Sequence, residues 1–303
     1  MTRVSDSARR ARPWLGTYVD VAASGRPAAE LDGAIESAFE AIGQVHRLMS
    51  VHAPDSDVAR LNRDAATRAV AVHPWTCRVL EAAQDLRRRS AGIFDVAVAP
   101  AMEVHGLLPA TSAPGRRGAC SDEGDAFELL PEHRVRFRDP GVRIDLGGIA
   151  KGFAVDRALD ELRAHGASQG LVNAGGDLAA FGRGPETVHL RDPRDPSRLL
   201  CRVELREGAL ASTGGRFDPF VSAEVGGLAV IDPRRWRPVD GLAGATVRAA
   251  SCLVADALTK VVVVAGEMVI GLLDHYGASA LFVSRDGGVH VTSGWPEVEH
   301  RAA

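Results

Sequence analysis

The sequence predicts an α+β fold in which helices pack on mixed sheets. Segments with apolar residues at helical spacing alternate with strand-like segments, but without the regular cadence of βαβ units. The chain has 303 residues, of which 46% are hydrophobic, so it is long enough to bury a large core. We expect a single domain over residues 1–303. Residues 107–126 are expected to form a surface insertion, because they are rich in Pro, Gly and Ser and lack periodicity.

The first half of the chain is predicted to be mainly helical. A strand-like YVDVAA (18–23) precedes residues 31–50, where apolar residues recur at helical spacing over about five turns. A Pro-Asp-Ser turn then favours a short helix within residues 53–62. A further helix is expected at 75–90, closed by Gly92.

The second half is predicted to be richer in strands. Strand patterns occur at VRFRD (135–139) and VRIDL (142–146), followed by a helix at 154–166 that ends near Gly166 and a buried strand at 171–174. Further strands are expected in VHLRDPRDPSRLL, CRVELREGALAST, LAVID and ATVRAA. A helix is expected at 252–265, and ALFVSRDGGVHVTSG is expected to form a closing hairpin with a DGG turn.

Composition argues against several classes of protein. The net charge of −3 at pH 7 gives no general affinity for nucleic acid or anionic membranes. The N-terminal MTRVSDSARRARPWLG lacks the apolar region of a secretory signal, which predicts a cytoplasmic protein. The apolar segment 261–273 is interrupted by Glu267 and is too short to cross a bilayer, so no stable membrane insertion is expected. The cysteines form no CxxC pair and indicate neither a zinc site nor a disulfide framework; they are Cys77, Cys120, Cys201 and Cys252.

The segment RIDLGGIAKG (143–152) runs from a strand pattern into a helix pattern through two glycines. Gly147 and Gly148 lack a Cβ, so a ligand can approach the backbone closely, and the helix N-terminus that follows favours an anion. Lys151 would add a positive charge beside a phosphate. Asp145, which only accepts hydrogen bonds when ionised, suits a ribose hydroxyl, a ring N–H or a metal. The alternative is a glycine-rich turn with a surface Asp–Lys ion pair.

The segment SCLVADALTKVVVVAG places polar residues on an apolar helix. Thr259 and Lys260 follow Asp256 by about one helical turn, so the three side chains face roughly the same way. Carboxylate and hydroxyl oxygens suit Mg²⁺. The alternative is a surface Asp–Lys pair that contributes about 0.2–0.5 kcal/mol.

Two further segments are weaker candidates. ASTGG (211–215) is a run of small residues, and its hydroxyl and N–H groups could hold phosphate if it forms a turn, but such turns are common. GIFDVAVAPAMEVHG (92–106) places Asp95 and His105 near an apolar strand pattern, and a lone His more often has a structural role.

Taken together and in this order, these segments resemble the ApbE family of FAD:protein FMN transferases. The resemblance implies a flavoprotein transferase that binds FAD and Mg²⁺, attaches FMN to a Thr hydroxyl of an acceptor protein and releases AMP. Positioning and charge neutralisation dominate in such reactions. The block from IDLGGIAKG to GGD is the most specific part. The segments that carry the resemblance are LGTYVDV, LMSVHAPDSDVARLN, GIFDVAVAPAMEVHG, IDLGGIAKGFAVDRA, LVNAGGDLAAFG, ASTGG, VIDPRRWRPVD and ADALTK.

The resemblance also assigns roles to individual residues. Asp256 matches the principal metal carboxylate, and Gly148, through its carbonyl, is on a neighbouring metal position. Thr259 and Lys260 fall on the two other metal positions. Asp256 and Lys151 are therefore the expected catalytic residues. The positions expected to contact FAD are Leu15, His52, His105, Gly106, Leu107, Asp145, Lys151 and Val230.

The chain departs from the family pattern at positions that bear on the chemistry. His52 stands where a Tyr is usual, and His105 stands where a Trp is usual. Ala229 replaces a His that is often held to assist transfer, and the usual TSGD reads STGG. Lys260 stands where an oxygen ligand is common. Because an ammonium cannot ligate a metal, Lys260 could instead supply part of the metal's charge beside the pyrophosphate.

Three functions are compatible with these observations. The first is Mg²⁺-dependent FMN transfer from FAD to a Thr of an acceptor protein. The second is FAD binding without transfer, which the residues Ala229, Gly215 and Lys260 suggest. The third is hydrolysis of FAD to FMN and AMP, with water as the acceptor. We favour the first because most of the phosphate and metal framework is present, with FAD and a flavin-acceptor protein as partners.

Overall fold

The computed structural model describes residues 6–110, 124–182, 184–214 and 228–296. The strands in chain order are β1 (Ser7–Trp14), β2 (Thr17–Ser24), β3 (Val70–Ala71), β4 (Phe127–Leu130), β5 (Arg134–Phe137), β6 (Gln169–Ala174), β7 (Asp177–Phe181), β8 (Glu186–Asp192), β9 (Asp195–Leu205), β10 (Gly208–Gly214), β11 (Ile231–Asp232), β12 (Arg237–Pro238), β13 (Leu242–Ala249), β14 (Ser279–Ser284) and β15 (Val289–Val291). The α-helices are α1 (Ala28–Met49), α2 (Asp57–Asp64), α3 (Pro74–Arg89), α4 (Ala99–Val104), α5 (Ala150–Ala164), α6 (Cys252–Ala265) and α7 (Ile270–His275).

The predicted α+β class is confirmed, with one large sheet at its centre. Its order is β1-β2-β6-β7-β10-β13-β14-β15, and each pair of neighbours is antiparallel. The sheet is therefore antiparallel along its described length, although parallel pairs were expected in a mixed sheet. The reason is that its strands either follow one another through turns or return from the helical layer in the opposite direction.

Helices α1, α5 and α6 cover one face of this sheet. Helix α1 packs against α5, α5 packs against α6, and α6 lies on β10 and β13. The large side chains Ile35, Phe153 and Leu258 are buried between the helices and the sheet. Burial of a side chain of this size stabilises the fold by about 1.5–3 kcal/mol. This layer fixes the relative positions of α5 and α6, the helices that carry the two main motifs.

The opposite face of the sheet is covered by the β8–β9 hairpin. Leu178 and Leu210 of the sheet pack against Leu190, Val203 and Leu205 of the hairpin in a second, smaller core. Alternate residues of β7 and β10 thus face different cores, as the pleat of a strand requires. The hairpin also forms one wall of the cleft described below.

Several local predictions are confirmed. The Ser56 Oγ accepts a hydrogen bond of 3.0 Å from the Ala59 N–H and caps the N-terminus of α2. The helix expected at 75–90 forms as α3 (Pro74–Arg89), and Pro74 suits its first turn because Pro has no N–H to leave unpaired. Gly166 follows α5 with φ of +77°, the left-handed conformation expected after a helix end.

The predicted strand VRIDL (142–146) is wrong. The segment is extended but joins no sheet. The side-chain amide of Asn62 pairs with both backbone groups of Ile144, at 2.8 and 2.9 Å, and the Asp145 N–H donates to Val96 O at 2.8 Å. Side-chain and loop partners therefore satisfy the backbone groups that a ladder would otherwise pair.

Other segments also differ from expectation. No strand forms within 92–106, where Ala99–Val104 are helical instead, with Pro100 near the start of the helix. In LAVID only Ile231–Asp232 form a strand. Strands β1 and β7 are not among the predicted elements. β1 is an Arg-rich edge strand whose Arg9 pairs with Asp20 across the ladder.

Part of the expected surface insertion lies outside the described residues. Of residues 107–126, the structure describes 107–110 and 124–126, so Cys120 is not described. Among the described helices, none has the length and apolar character needed to cross a bilayer.

Candidate active site

The glycine pair of RIDLGGIAKG forms the turn that leads into α5. Gly147–Ile149 turn, and the helix begins at Ala150. The Asp145 Oδ2 accepts the Gly147 N–H at 2.8 Å, which closes the turn on itself. Burial raises the pKa of Asp145, and the Gly147 N–H opposes this only in part. The segment thus presents a half-buried acid and a helix N-terminus together, and the side chains of Asp145 and Lys260 lie beside its two glycines.

Lys151, in the first turn of α5, is ion-paired with Asp177 at the start of β7. Asp177 is fully buried, whereas the Lys151 side chain remains 32% exposed. The other carboxylate oxygen of Asp177 accepts the Ser212 N–H of β10 at 3.4 Å. The Asp177 carboxylate therefore joins α5, β7 and β10. The Lys151 side chain that it pairs with is partly exposed to solvent.

Asp256 on α6 makes a second ion pair, with Lys260 one turn later. Its other oxygen, Oδ2, accepts the Gly152 N–H of α5 at 3.0 Å. Asp256 is fully buried and the Lys260 side chain is 17% exposed. The surface Asp–Lys pair considered for this motif is therefore not what forms, because the acid lies in the protein interior.

The four charges influence one another. Burial raises the pKa of Asp256, but the positive charges of Lys260 and Lys151 outweigh this and hold it below its usual value. Burial and the negative charge of Asp256 raise the pKa of Asp177, and Lys151 offsets only part of that rise. Burial lowers the pKa of Lys151, but Asp177 and Asp256 outweigh it and raise the pKa. Lys151 thus remains an ammonium at neutral pH.

Thr259 lies beneath this cluster. Its Oγ1 donates to the Asp256 carbonyl at 2.7 Å and pairs with the Thr213 Oγ1 at 2.7 Å. The residue is fully buried. Ala211–Gly214 of the ASTGG segment form the end of β10 and not a turn, and Gly215 lies outside the described residues.

The two lysines, Asp145 and the Gly147–Gly148 turn face a cleft of about 1620 Å³. A typical ligand pocket has about 300–1,000 Å³, so this one has room for a dinucleotide with further space beside it. The predicted site residues that line it are Leu15, His52, Leu107, Asp145, Gly148, Lys151, Val230 and Lys260. Ala229 lines it as well. Of the remaining predicted site residues, Asp256 and Thr259 lie behind the wall, and His105 and Gly106 are not in the lining.

His105 supports the cleft from outside. Its Nε2 lies 3.0 Å from the Trp236 carbonyl, in the turn between β11 and β12. Gly106 follows in the left-handed conformation, with φ of +70°. The contact joins α4 to the segment that carries Val230. Asp95, the other polar residue of that motif, is ion-paired with Arg87 at 2.9 Å and lines the cleft.

The donor set does not fit a divalent metal in this arrangement. Asp256 uses one oxygen for Lys260 and the other for the Gly152 N–H. The hydroxyl of Thr259 already makes two hydrogen bonds. Among the described residues, no group of three or more His, Cys, Asp or Glu side chains could hold a metal ion. A cation at this point would compete with an ammonium that is already in place.

Asp177 is the main site residue absent from the sequence prediction. It lies after the glycine pair Gly175 and Gly176, both of which have positive φ in the turn between β6 and β7. An acid directly after such a turn was the available signal. Nothing in the local pattern shows that the turn brings it to Lys151.

Known proteins are similar to this chain in both sequence and fold. The profile of the ApbE family matches residues 15–282. The FAD:protein FMN transferase of Rhodobacter capsulatus is 32% identical over 270 residues, which cover 84% of this chain and 50% of that protein. The chain thus matches about half the length of this relative. The FAD:protein FMN transferase of Treponema pallidum is 28% identical over 319 residues, covering 94% of this chain and 86% of that protein.

Solved structures agree. The ApbE protein of Thermotoga maritima has a TM-score of 0.84 and 26% identity, covering 95% of this chain and 97% of that one. The flavin transferase ApbE of Vibrio cholerae has a TM-score of 0.80 and 22% identity, covering 95% of this chain and 98% of that one, and shows the fold alone. The family match extends over most of the chain and confirms the resemblance seen in the sequence. The chain therefore belongs to the ApbE family, which includes flavin transferase enzymes.

Proposed function

We propose that this protein is an FAD:protein FMN transferase, which attaches FMN through a phosphoester to a Thr of an acceptor protein and releases AMP. The observation that carries the proposal is the pair of ammonium groups on one cleft wall. Lys151 and Lys260 both line the cleft, beside the Gly147–Gly148 turn and the N-terminus of α5. Together these features suit a pyrophosphate.

The reaction follows from this placement. The Thr hydroxyl oxygen of the acceptor attacks the phosphorus of the FMN half, and a new P–O bond forms. The bond from that phosphorus to the bridging oxygen breaks, and the electron pair leaves on the phosphate of AMP. The proton of the Thr hydroxyl passes to solvent water. Lys151 and Lys260 would neutralise the pyrophosphate and the negative charge that builds on the leaving AMP phosphate, which is the main demand of a loose transition state.

The other cleft residues would hold the two ends of FAD. Leu15, Leu107 and Val230 offer apolar surface, whereas His52 and Asp145 offer polar groups. His105 and Gly106 do not line the cleft and would act by supporting its wall. The volume left beside a dinucleotide suits an extended segment of the acceptor protein, which must bring its Thr to the phosphate.

The expected histidine is replaced by Ala229, which cannot take a proton. A general base contributes about 10²- to 10⁴-fold to a rate. In a loose transition state the nucleophile is still weakly bonded, so removal of its proton is less demanding than charge neutralisation. Transfer therefore remains possible without this histidine, at a reduced rate.

The resemblance implies dependence on Mg²⁺, which the present arrangement of the oxygen donors does not support. Asp256, Thr259 and the Gly148 carbonyl are the oxygen donors that could hold the ion. They could do so only after Lys260 leaves Asp256, and no step of the reaction above is assigned to the metal.

The test is a turnover assay with the full chain, FAD and a candidate acceptor domain containing a Thr motif. We expect an acceptor band with in-gel flavin fluorescence, and AMP in an amount equal to the flavin attached. AMP and FMN formed at the same rate without acceptor would support FAD hydrolysis instead. Stoichiometric FAD binding with neither product would support a binding protein, the alternative that Ala229 favours.

A further inference from the structure

The side chain of Lys260 lies between two positions expected to bind the metal. Gly148 precedes α5 and Asp256 lies on α6, so they belong to different elements. A Cβ built on Gly148 would lie 3.5, 3.6 and 3.9 Å from Cε, Cγ and Cδ of Lys260. The same side chain ends in an ion pair with Asp256. Its stem thus passes along Gly148, and its charge lies on the carboxylate.

This arrangement changes which charge faces the cleft. Asp256 is fully buried and has both oxygens occupied, by Lys260 and by the Gly152 N–H. Lys260 lines the cleft, whereas Asp256 does not. At this point of the wall a ligand therefore meets the Lys260 ammonium, with its hydrogen-bond donors, and not the Asp256 carboxylate.

Composition supports a specific need for lysine at this point. The chain has 36 Lys and Arg residues, and only Lys151 and Lys260 are lysines. Both line the same cleft. The lysine ammonium is a compact point charge on a flexible stem, whereas the arginine guanidinium is a wide planar fork. A compact ammonium suits the Lys260 position, where the stem passes Gly148 and the charge lies on Asp256.

We infer that the Lys260 ammonium is the resident cation of this site and stands beside the FAD pyrophosphate in place of a divalent metal, so that FAD binding by this protein is metal-independent. The inference rests on the proposed function, since it names a pyrophosphate as the ligand. Lys260 would donate N–H groups to a pyrophosphate oxygen while Asp256 holds its position. The Asp256–Lys260 pair is neutral, whereas Asp256 with a divalent ion would carry a positive charge. The site therefore carries one positive charge fewer than it would with a divalent ion, and it needs no bound metal.

Binding measurements test this without relying on catalysis. FAD is titrated calorimetrically into the full chain in excess MgCl₂ and in excess EDTA. The expected dissociation constants agree within about twofold, because the cation is part of the protein. A value that is at least about tenfold weaker in EDTA would overturn the inference and leave the proposed function standing. Absence of FAD binding in both buffers would overturn the proposed function, and the inference with it.

A second measurement examines the metal alone. Mn²⁺ is added to the FAD-free protein, and free Mn²⁺ is quantified by electron paramagnetic resonance. We expect no stoichiometric site in the wild-type chain and a new one in Lys260→Thr, because that substitution frees an Asp256 oxygen and adds a hydroxyl. Stoichiometric Mn²⁺ binding by the wild-type protein, abolished by Asp256→Asn, would contradict the inference.

The Lys260→Thr variant also tests whether FAD binding comes to depend on Mg²⁺. Lys260→Thr should bind FAD at least about tenfold more weakly than wild type in EDTA and recover in MgCl₂. Arg88→Thr removes one positive charge at an exposed position outside the cleft and should leave both constants unchanged. If Lys260→Thr binds FAD as tightly as wild type in EDTA, Lys260 does not contact the pyrophosphate and the inference is wrong.

The scarcity of lysine allows Lys260 of the wild-type protein to be observed directly by NMR. Reductive methylation with ¹³C-formaldehyde labels Lys151, Lys260 and the chain's amino terminus, and retains their charge. The Lys260 signal is identified by its absence from Lys260→Thr. FAD should shift the Lys260 signal in EDTA, whereas Mg²⁺ alone should not. A shift with Mg²⁺ alone would show that the metal displaces Lys260 and would overturn the inference.

Discussion

The Lys151 ammonium and the Asp177 carboxylate form an ion pair that joins the first turn of α5 to the first residue of β7. The acid is fully buried and also accepts the Ser212 N–H. Removing one partner of such a pair leaves a charge without compensation, which costs about 3–5 kcal/mol. The pair is therefore both a part of the proposed phosphate site and a structural contact.

Asp177→Asn is expected to lower the free energy of unfolding by about 3 kcal/mol, because Lys151 loses its counter-charge. Urea denaturation of the wild type, Asp177→Asn, Lys151→Met and the double variant gives the coupling energy. We expect the double variant to lose less unfolding free energy than the sum of the losses in the two single variants. Strictly additive losses would mean that the two residues act independently.

Gly152→Ala should separate α5 from α6. A Cβ at this position would lie 2.2 Å from the Cys252 carbonyl oxygen and 2.8 Å from the Asp256 Cβ, so a backbone must move. We expect a loss of at least about 1–3 kcal/mol in the free energy of unfolding, the usual cost of overpacking. We also expect weaker FAD binding, because Asp256 moves with the helix.

Gly33 provides a matched control for this substitution. It lies on an exposed face of α1, and a Cβ there would meet nothing within 4 Å. Gly33→Ala should therefore raise stability by about 0.5–1 kcal/mol through helix propensity. Equal effects of the two substitutions in thermal denaturation would contradict the close helix contact.

Much of the helical layer was predictable, because α1, α3, α5 and α6 follow from local apolar spacing. The extended segment 142–146 could not be placed from its own pattern. Its alternation fits a strand, but Asn62, a residue far away in the chain, provides its hydrogen bonds. Strand β1 was missed for a related reason, since its arginines resemble a solvated run until their acidic partners on neighbouring elements are known.

Individual residues of the candidate site were predictable from the sequence, but their ion-pair partners were not. Lys151, Asp256 and Lys260 were identified from their segments. The partner of Lys151 depends on the turn between β6 and β7, which brings Asp177 back to α5. The identity of the cation depends on the Lys260 rotamer. Tertiary packing decides both, and no local pattern encodes either.

Asp156 should make stability depend on pH between about 4 and 6. Its carboxylate accepts the N–H groups of Cys252 and Leu253 at 2.7 and 2.9 Å, at the N-terminus of α6. Burial nevertheless raises its pKa from 3.8 to about 6. In this window the folded state binds more protons at Asp156 than the unfolded state does. The contribution of Asp156 to stability is therefore largest below pH 4 and falls as pH rises to about 6.

Asp156→Asn removes this titration and retains one acceptor oxygen. The difference in unfolding free energy, wild type minus variant, should fall from pH 4 to pH 6 and stay level above pH 7. Urea denaturation at several pH values measures it. A difference that rises with pH would mean that the two N–H groups outweigh burial and depress the pKa.

Ala229→His should speed FMN transfer. Ala229 lines the cleft and has no titratable group, so the proposed reaction proceeds without a protein base at this position. A histidine here would accept the Thr proton and raise kcat by about 10²-fold, the lower end of the range for general base catalysis. The pH–rate profile should gain a limb near the usual histidine pKa of about 6.5. Ala229→Gln, which adds similar volume without a base, should not be faster than wild type. Equal rates for the His and Gln variants would show that deprotonation does not limit transfer, as a fully dissociative transition state requires.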